Sequence, residues 1–355
     1  MKIEALKIGD LVARLPIIQG GMGIGVSRCK LASAVAKAGG IGVISAAQVG
    51  YDEKDFEKNN LEANLRALRK HIKEAKENSN NGIIGVNVMV ATNNYAEHVK
   101  ASVEAGVDLI ISGAGLPTSL PKIVKGLGVK IAPIVSSLKS ARVILKLWDK
   151  HDKIAPDLIV IEGARAGGHL GFKKDDIFSS MDNFDDEVVK IIEETKIYAE
   201  KYSKNIPVVV AGGVFDGKDI AKYLKLGANG VQMATRFVAT EECDASEEFK
   251  NAYVNCKKED IAIVSSPVGM PGRAIENEFV KKTYLGNIKV TRCYDCITHC
   301  NPKVTPYCIS KALIEAVNGN TKEGLIFCGD NAHRINKIVP VQELMNELEK
   351  EILEA

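Results

Sequence analysis

The sequence has no uninterrupted apolar run of the roughly 18 residues that a membrane-spanning helix needs. Its N-terminal segment, MKIEALKIGD, lacks an apolar core and carries Glu4 and Asp10 where a secretory signal peptide avoids acids. With 47 basic and 45 acidic residues, the net charge is only +2, which gives no support to nucleic-acid binding. We therefore predict a soluble, cytoplasmic protein that binds neither membranes nor nucleic acid.

Two common phosphate-binding motifs are also missing. No Walker A sequence occurs, and the glycines of GGMGIGV (20–26) alternate instead of following the G-x-G-x-x-G pattern. These absences exclude a P-loop and the usual Rossmann site for a dinucleotide.

What the sequence does contain is a regular alternation of two kinds of segment. Segments with helical periodicity, several ending in glycine, separate short apolar runs rich in β-branched residues. Those runs are PIIQ (16–19), IGVIS (41–45), IIGVNVMV (83–90), VDLIIS (107–112), VKIAPIV (129–135), DLIVIE (157–162), IPVVVAG (206–212) and NGVQMAT (229–235). Continuous apolar strands separated by helices indicate a parallel sheet. Eight such units predict an α/β protein with a (β/α)8 TIM barrel.

The alternation stops near residue 240. We therefore predict a barrel at residues 1–240, followed by a helical, cysteine-containing C-terminal extension at residues 241–355 that packs on it.

Glycines and polar residues gather where the predicted strands end. QGGMG follows the first strand, EGARAGGHLG (162–171) the sixth and AGG the seventh, while QMAT ends the eighth. In a barrel these ends share one face, the usual face for catalysis. Glycine-rich turns after the last two strands suit a phosphate, because bare backbone N–H groups can approach it closely. FMN carries one phosphate and a flat ring that could lie over the strand ends. The sequence therefore favours FMN as the cofactor.

His169 lies in the glycine-rich segment after the sixth strand. A solvent-facing turn is one interpretation of a single histidine in such a loop. The other is a proton-transfer group over the cofactor, since an imidazole with a pKa near ~6.5 suits that work at neutral pH. The position of the loop at the predicted catalytic face favours the second interpretation.

Seven segments, in this order, carry a resemblance to a known family: PIIQGGMG, LASAVAKAGGIG, GVNVMV, EGARAGGHLG, VVVAGGVFDG, GANGVQMATRFVATEE and PGRAIENEF. Over residues 10–280 the chain resembles the nitronate monooxygenase (2-nitropropane dioxygenase) family of FMN-binding barrels. The flavin-dependent type II enoyl-acyl-carrier-protein reductases share these motifs. Two positions depart from the family pattern: Arg165 stands where an acid is frequent, and Ala234 where glycine is usual.

The resemblance also implies roles for individual residues. The backbone of Gly21, Met22 and Gly23 would pack against the flavin ring, with Asn87 hydrogen-bonded to its edge. The ribityl chain and phosphate would be held by Gly212, Gly213, Gln232, Met233, Ala234 and Thr235. Gly167 and Gly168 would let their loop close over the ring, with His169 acting as the base towards a nitroalkane.

The segment RCYDCITHCNPKVTPYC places Cys293, Cys296, Cys300 and Cys308 within sixteen positions. Four thiolates so spaced can bind an iron–sulfur cluster or one zinc ion. The alternative is that they are reduced cysteines that pack as small apolar side chains. The sequence leaves both interpretations open.

Three functions are compatible with these features. The first is FMN-dependent oxidation of alkyl nitronates, small-molecule substrates, by oxygen. The second is reduction of an enoyl thioester with NAD(P)H as co-substrate, and the third is electron transfer that uses the cysteine segment. The solvated final helix, QELMNELEKEILEA, is a candidate contact for a homodimer.

Overall fold

A computed structural model describes all 355 residues of the chain. The strands, numbered along the chain, are β1 (Leu6–Ile8), β2 (Leu11–Ala13), β3 (Ile17–Gln19), β4 (Ile41–Ser45), β5 (Ile83–Met89), β6 (Leu109–Gly113), β7 (Lys130–Val135), β8 (Ile159–Glu162), β9 (Gly168–His169), β10 (Val208–Ala211), β11 (Gly230–Met233), β12 (Ile261–Ser265) and β13 (Pro271–Ile275).

The α-helices, numbered in the same way, are α1 (Cys29–Lys37), α2 (Asn60–Asn78), α3 (Tyr95–Glu104), α4 (Leu120–Ile123), α5 (Leu138–Asp152), α6 (Ile177–Asp182), α7 (Phe184–Lys201), α8 (Gly217–Lys225), α9 (Thr235–Val238), α10 (Glu247–Val254), α11 (Glu278–Tyr284), α12 (Ile309–Val317) and α13 (Val341–Glu354). None of them is long and apolar enough to cross a membrane.

Eight parallel strands close into a barrel in the order β10-β11-β3-β4-β5-β6-β7-β8. Each of the eight apolar runs forms one of these strands, so the predicted (β/α)8 barrel is confirmed. Alternate residues point to opposite sides: Ile18 and Val43 face the barrel interior, whereas Ile17 and Ile44 face the surrounding helices. This burial on both faces explains why the strands are largely apolar, with polar residues such as Ser45 and Glu162 at their carboxyl ends.

The hairpin of β1 and β2 contributes Leu6, Ile8 and Ala13 to the cluster of apolar side chains inside the barrel. On the outside, α1 approaches β4 closely at Gly42, where a Cβ atom would lie 1.8 Å from the carbonyl oxygen of Ala32. The hairpin thus completes the interior, and the glycine lets the first helix lie directly on the sheet.

The last helix, α13, belongs to the barrel layer. It packs against α8 and α1, and its side chains Leu344, Leu348 and Ile352 are fully buried in the same cluster as the outward-facing strand residues. The predicted boundary at residue 240 stays a prediction. The chain nonetheless returns after residue 340 to supply the helix that follows the eighth strand.

Between the eighth strand and its helix, the region from residue 241 to 340 differs in part from the helical extension that the sequence predicts. It contains α10, α11 and α12, but also the antiparallel strands β12 and β13. These strands form a three-stranded sheet with β9, the two-residue strand that contains His169. Strands form here because β13 pairs with β12 along one edge and with β9, in the loop after β8, along the other.

Candidate active site

A cavity opens over the carboxyl ends of the barrel strands. It is lined by residues that follow β3, β5, β8, β10 and β11, together with Tyr253, Phe327 and Cys328 from the C-terminal region. All the residues that the sequence predicts for the cofactor and the base line this one cavity, namely Gly21, Met22, Gly23, Asn87, Gly167, Gly168, His169, Gly212, Gly213, Gln232, Met233, Ala234 and Thr235. The structure therefore brings them together, while their individual roles stay predictions.

Several of these glycines allow one part of the backbone to approach another. A Cβ atom on Gly21 would lie 2.5 Å from the Cβ of Asn87, and one on Gly167 would lie 2.5 Å from the carbonyl carbon of Cys328. Gly212 and Gly213 both have left-handed backbones, with φ of 90° and 94°. The turn after β10 therefore favours glycine at both positions, and at Gly213 it lets the Arg165 side chain pack against the backbone.

One polar atom of this cavity lacks a partner. The Oε1 atom of Gln232, at the end of β11, is buried and accepts no hydrogen bond. A buried acceptor without a donor costs free energy, on the order of 1–3 kcal/mol. An N–H or O–H group of a molecule bound in the cavity would supply the donor.

The loop that carries His169 is fixed by the C-terminal region. His169 pairs with Gly272 and Gly168 with Arg273, so the loop is an edge of the three-stranded sheet. The His169 Nε2 atom lies 2.7 Å from the hydroxyl oxygen of Ser266, and the edge-on ring of Phe327 lies 5.0 Å away, centroid to centroid. These contacts orient the imidazole towards the cavity.

Arg273 holds the preceding part of the same loop. Its guanidinium is buried and donates hydrogen bonds of 2.7 Å and 2.5 Å to the carbonyl oxygens of Ala164 and Ala166. Its Nε atom also lies 3.9 Å from a carboxylate oxygen of Asp330. The side chain of Arg273 thus points into the protein and supports the loop.

Burial lowers the pKa of His169 from its ordinary value to about 4. A histidine with such a pKa is neutral at pH 7 and can accept a proton there. The site thus presents a base without a positive charge.

Glu162, at the end of β8, is a cavity residue that the sequence analysis did not single out. Its carboxyl group has no hydrogen-bond partner, and burial raises its pKa to about 7. The available signal was a single acid at the end of an apolar strand, immediately before the glycine-rich loop. Nothing in the local sequence points to Ser266 or Phe327, because they come close to His169 only through tertiary contacts.

We expect replacement of Glu162 by glutamine to remove a pH dependence of stability. Its pKa is higher in the folded than in the unfolded protein, so its contribution is fully present below about pH 4.5 and is lost as the pH rises through 7. The stability of the variant relative to the parent should therefore rise by up to about 3 kcal/mol over that interval. Urea unfolding of the flavin-free proteins at several pH values measures this difference.

The matched control for that experiment is Glu77→Gln, which alters an exposed acid on α2. Its stability relative to the parent should change little with pH. A flat difference for Glu162→Gln as well would contradict the proposed ionisation of Glu162.

The four clustered cysteines also come together. Cys293, Cys296, Cys300 and Cys308 line a second, smaller cavity in the C-terminal region. None of them forms a disulfide bond. Their arrangement is compatible with a shared ligand, and the identity of that ligand stays a prediction.

Comparison with known proteins identifies the family. A probable nitronate monooxygenase of Staphylococcus saprophyticus is 28% identical over 305 residues, which cover 79% of this chain and 81% of the relative. The structure of FabK from Thermotoga maritima superposes with a TM-score of 0.71 at 28% identity, covering 96% of this chain and 93% of that one.

A nitroalkane oxidase structure from Streptomyces ansochromogenes gives a TM-score of 0.72, with 97% of both chains covered, but at 21% identity it shows the fold alone. The family model described as nitronate monooxygenase matches residues 5–351, nearly the whole chain. On this evidence the protein belongs to the nitronate monooxygenase family.

Proposed function

We propose that the protein is an FMN-dependent enzyme that oxidises small alkyl nitronates with oxygen, with His169 as the base towards the neutral nitroalkane. The observation that carries the proposal is the convergence of the predicted residues on one cavity, with His169 at its edge. Membership of the nitronate monooxygenase family supports it. We also propose, from the sequence, that the enzyme works in the cytoplasm and forms a homodimer.

The cavity fits FMN in three respects. Its floor after β3 is bare backbone, because Gly21 and Gly23 have no side chain to obstruct a planar ring. The left-handed turn at Gly212 and Gly213, beside Thr235, leaves room for a phosphate. The unpartnered Oε1 of Gln232 offers an acceptor to a hydroxyl or ring N–H group of the flavin.

When bound, FMN would accept electrons from the substrate and return them to oxygen. Residues of the chain would transfer the proton, position the base and exclude water. His169, neutral at pH 7, would take the proton from the carbon next to the nitro group, and Ser266 would hold the imidazole in position. Phe327 and the loop of Gly167 and Gly168 would limit the access of water to that carbon.

One observation favours a second candidate. FabK of Thermotoga maritima is as similar in sequence as the curated nitronate monooxygenases, at 28% identity, and covers more of the chain. The alternative proposal is therefore a flavin reductase of the enoyl-acyl-carrier-protein type with NAD(P)H as co-substrate. Electron transfer through the cysteine segment, which would bind an iron–sulfur cluster or zinc, is the third.

An absorption spectrum of anaerobically purified protein tests these proposals. We expect flavin bands that persist after NADH is added and bleach when an alkyl nitronate is added, followed in air by oxygen uptake and nitrite release. Rapid bleaching by NADH would favour the enoyl reductase instead. A colourless protein that FMN cannot reconstitute would contradict the flavin site itself.

A further inference from the structure

The four cysteines surround the start of α12. Cys308 is the residue immediately before this nine-residue helix, whose N-terminus carries a partial positive charge. Cys293, Cys296, Cys300 and Cys308 line one cavity together with Ile309, the first residue of this helix.

The chain before α12 turns back on itself twice to bring the other cysteines in. Asp295, before Cys296, and His299, before Cys300, both have left-handed backbones, with φ of 47° and 63°. The backbone N–H of Asp295 lies 3.4 Å from the sulfur of Cys293. Aspartate and histidine are among the non-glycine residue types that adopt this conformation most often, so the two turns form without glycine.

No three of the four sulfurs lie as close together as the ligands of one bound zinc ion. Tetrahedral ligands with Zn–S bonds of 2.3 Å lie about 3.8 Å apart. Among histidine, cysteine, aspartate and glutamate side chains, the only three whose ligand atoms all lie within 4.8 Å of one another are Cys29, His71 and Glu74. A cubane cluster carries its metal and sulfide core between the four thiolates, and therefore holds them further apart than a single ion does.

The cysteine segment lies directly beside the proposed flavin site. Cys296 and His169 both line one pocket, which shares residues with the flavin cavity and with the cysteine cavity. Leu313 lines both this pocket and the flavin cavity, and lies only about 7–8 Å along α12 from Cys308. The segment is also tied to the end of β5, because the Asn93 side chain donates a 2.7 Å hydrogen bond to Asp295.

We propose that Cys293, Cys296, Cys300 and Cys308 bind a [4Fe–4S] cluster that passes single electrons to the flavin beside His169. A one-electron carrier protein would reduce the cluster, and the cluster would be oxidised again as the electron passes to the flavin. Two electrons and two protons from solvent would reduce the flavin, in the place that NAD(P)H takes in the alternative reductase, whereas in nitronate oxidation the substrate itself reduces it. The electron-transfer part rests on the flavin site proposed above, whereas the cluster itself does not.

The cluster is tested by metal and sulfide analysis of protein produced and purified without oxygen in the presence of iron. We expect about four iron and four sulfide per chain, and a paramagnetic resonance signal after dithionite reduction. Cys296→Ser and Cys308→Ser should both lose the iron. Cys29→Ser, in the other close set of ligands, should keep it; zinc in place of iron, or iron retained by both loop variants, would overturn the proposal.

The electron path is tested by the rate at which reduced methyl viologen, a one-electron donor, bleaches the flavin. We expect Cys296→Ser to bind FMN normally and to be reduced at least tenfold more slowly than the parent. Equal rates would overturn the relay. If the parent protein bound iron but no flavin, the proposed function would be contradicted and the proposed cluster would not. A failure of the proposed function can therefore be told apart from a failure of the cluster proposal.

Discussion

Replacement of His169 by glutamine is expected to lower kcat/KM for a neutral nitroalkane by about 10²–10⁴-fold, the usual contribution of a positioned base. The corresponding nitronate anion has already lost its proton, so its oxidation should fall far less. The ratio of the two activities, measured with one compound before and after deprotonation, isolates the role of His169. Ser266→Ala, which keeps the imidazole but removes its partner, should give a smaller loss of the same kind.

The pH profile gives an independent check on the same residue. Because burial lowers the pKa of His169 to about 4, the neutral imidazole is present throughout the range above that value. Activity of the parent on the nitroalkane should therefore fall only as the pH drops towards 4, and no decline should centre on 6.5. Equal losses on nitroalkane and nitronate in His169→Gln would show that His169 does not act as the base.

Replacement of Arg273 by methionine is expected to cause the largest loss of stability among substitutions near the site, about 3–5 kcal/mol. The change leaves the carbonyl oxygens of Ala164 and Ala166 buried without donors and removes a buried cation that lies 3.9 Å from Asp330. Because these carbonyls precede His169 in the same loop, FMN affinity should fall as well. Urea unfolding and flavin titration measure the two effects.

Arg165→Met is the matched control, because Arg165 contacts the same acid. Its ion pair with Asp330 is shorter, at 2.6 Å, but half of the side chain is exposed. We expect a loss of less than about 1 kcal/mol, as for other exposed pairs. If the two variants were equally stable, the buried carbonyls would not be what makes Arg273 important.

The barrel was predictable because its strands are largely apolar on both faces and several of its helices end in glycine. Both patterns arise from local geometry and from burial on two faces, so they can be recognised in the sequence before the fold is known. The gathering of Gly21, Asn87, Gly213 and Gln232 around one cavity followed from the barrel itself, since all strand ends share a face.

The support of His169 could not be predicted in this way. Ser266 lies 97 residues from His169 along the chain, and Phe327 is further away still, so no periodicity records their contacts with it or the pairing of Arg273 with the same loop. The pKa of Glu162 depends likewise on burial in a finished cavity. The sequence pattern identifies the residues that line the site. The contacts that set their orientation and their pKa values depend on the folded structure.

The return of α13 to the barrel has a consequence for the order in which the protein can mature. Helix α13 leaves the ribosome after the other elements of the barrel, so until it emerges the nascent chain carries a barrel with an apolar gap between α1 and α8. The amine of Met1 donates a 2.8 Å hydrogen bond to the carbonyl oxygen of Leu353, so residue 1 lies against the end of α13. A chain cut short after residue 340 would therefore expose that gap permanently, whereas joining the two ends and opening the chain elsewhere would leave the ring of helices whole.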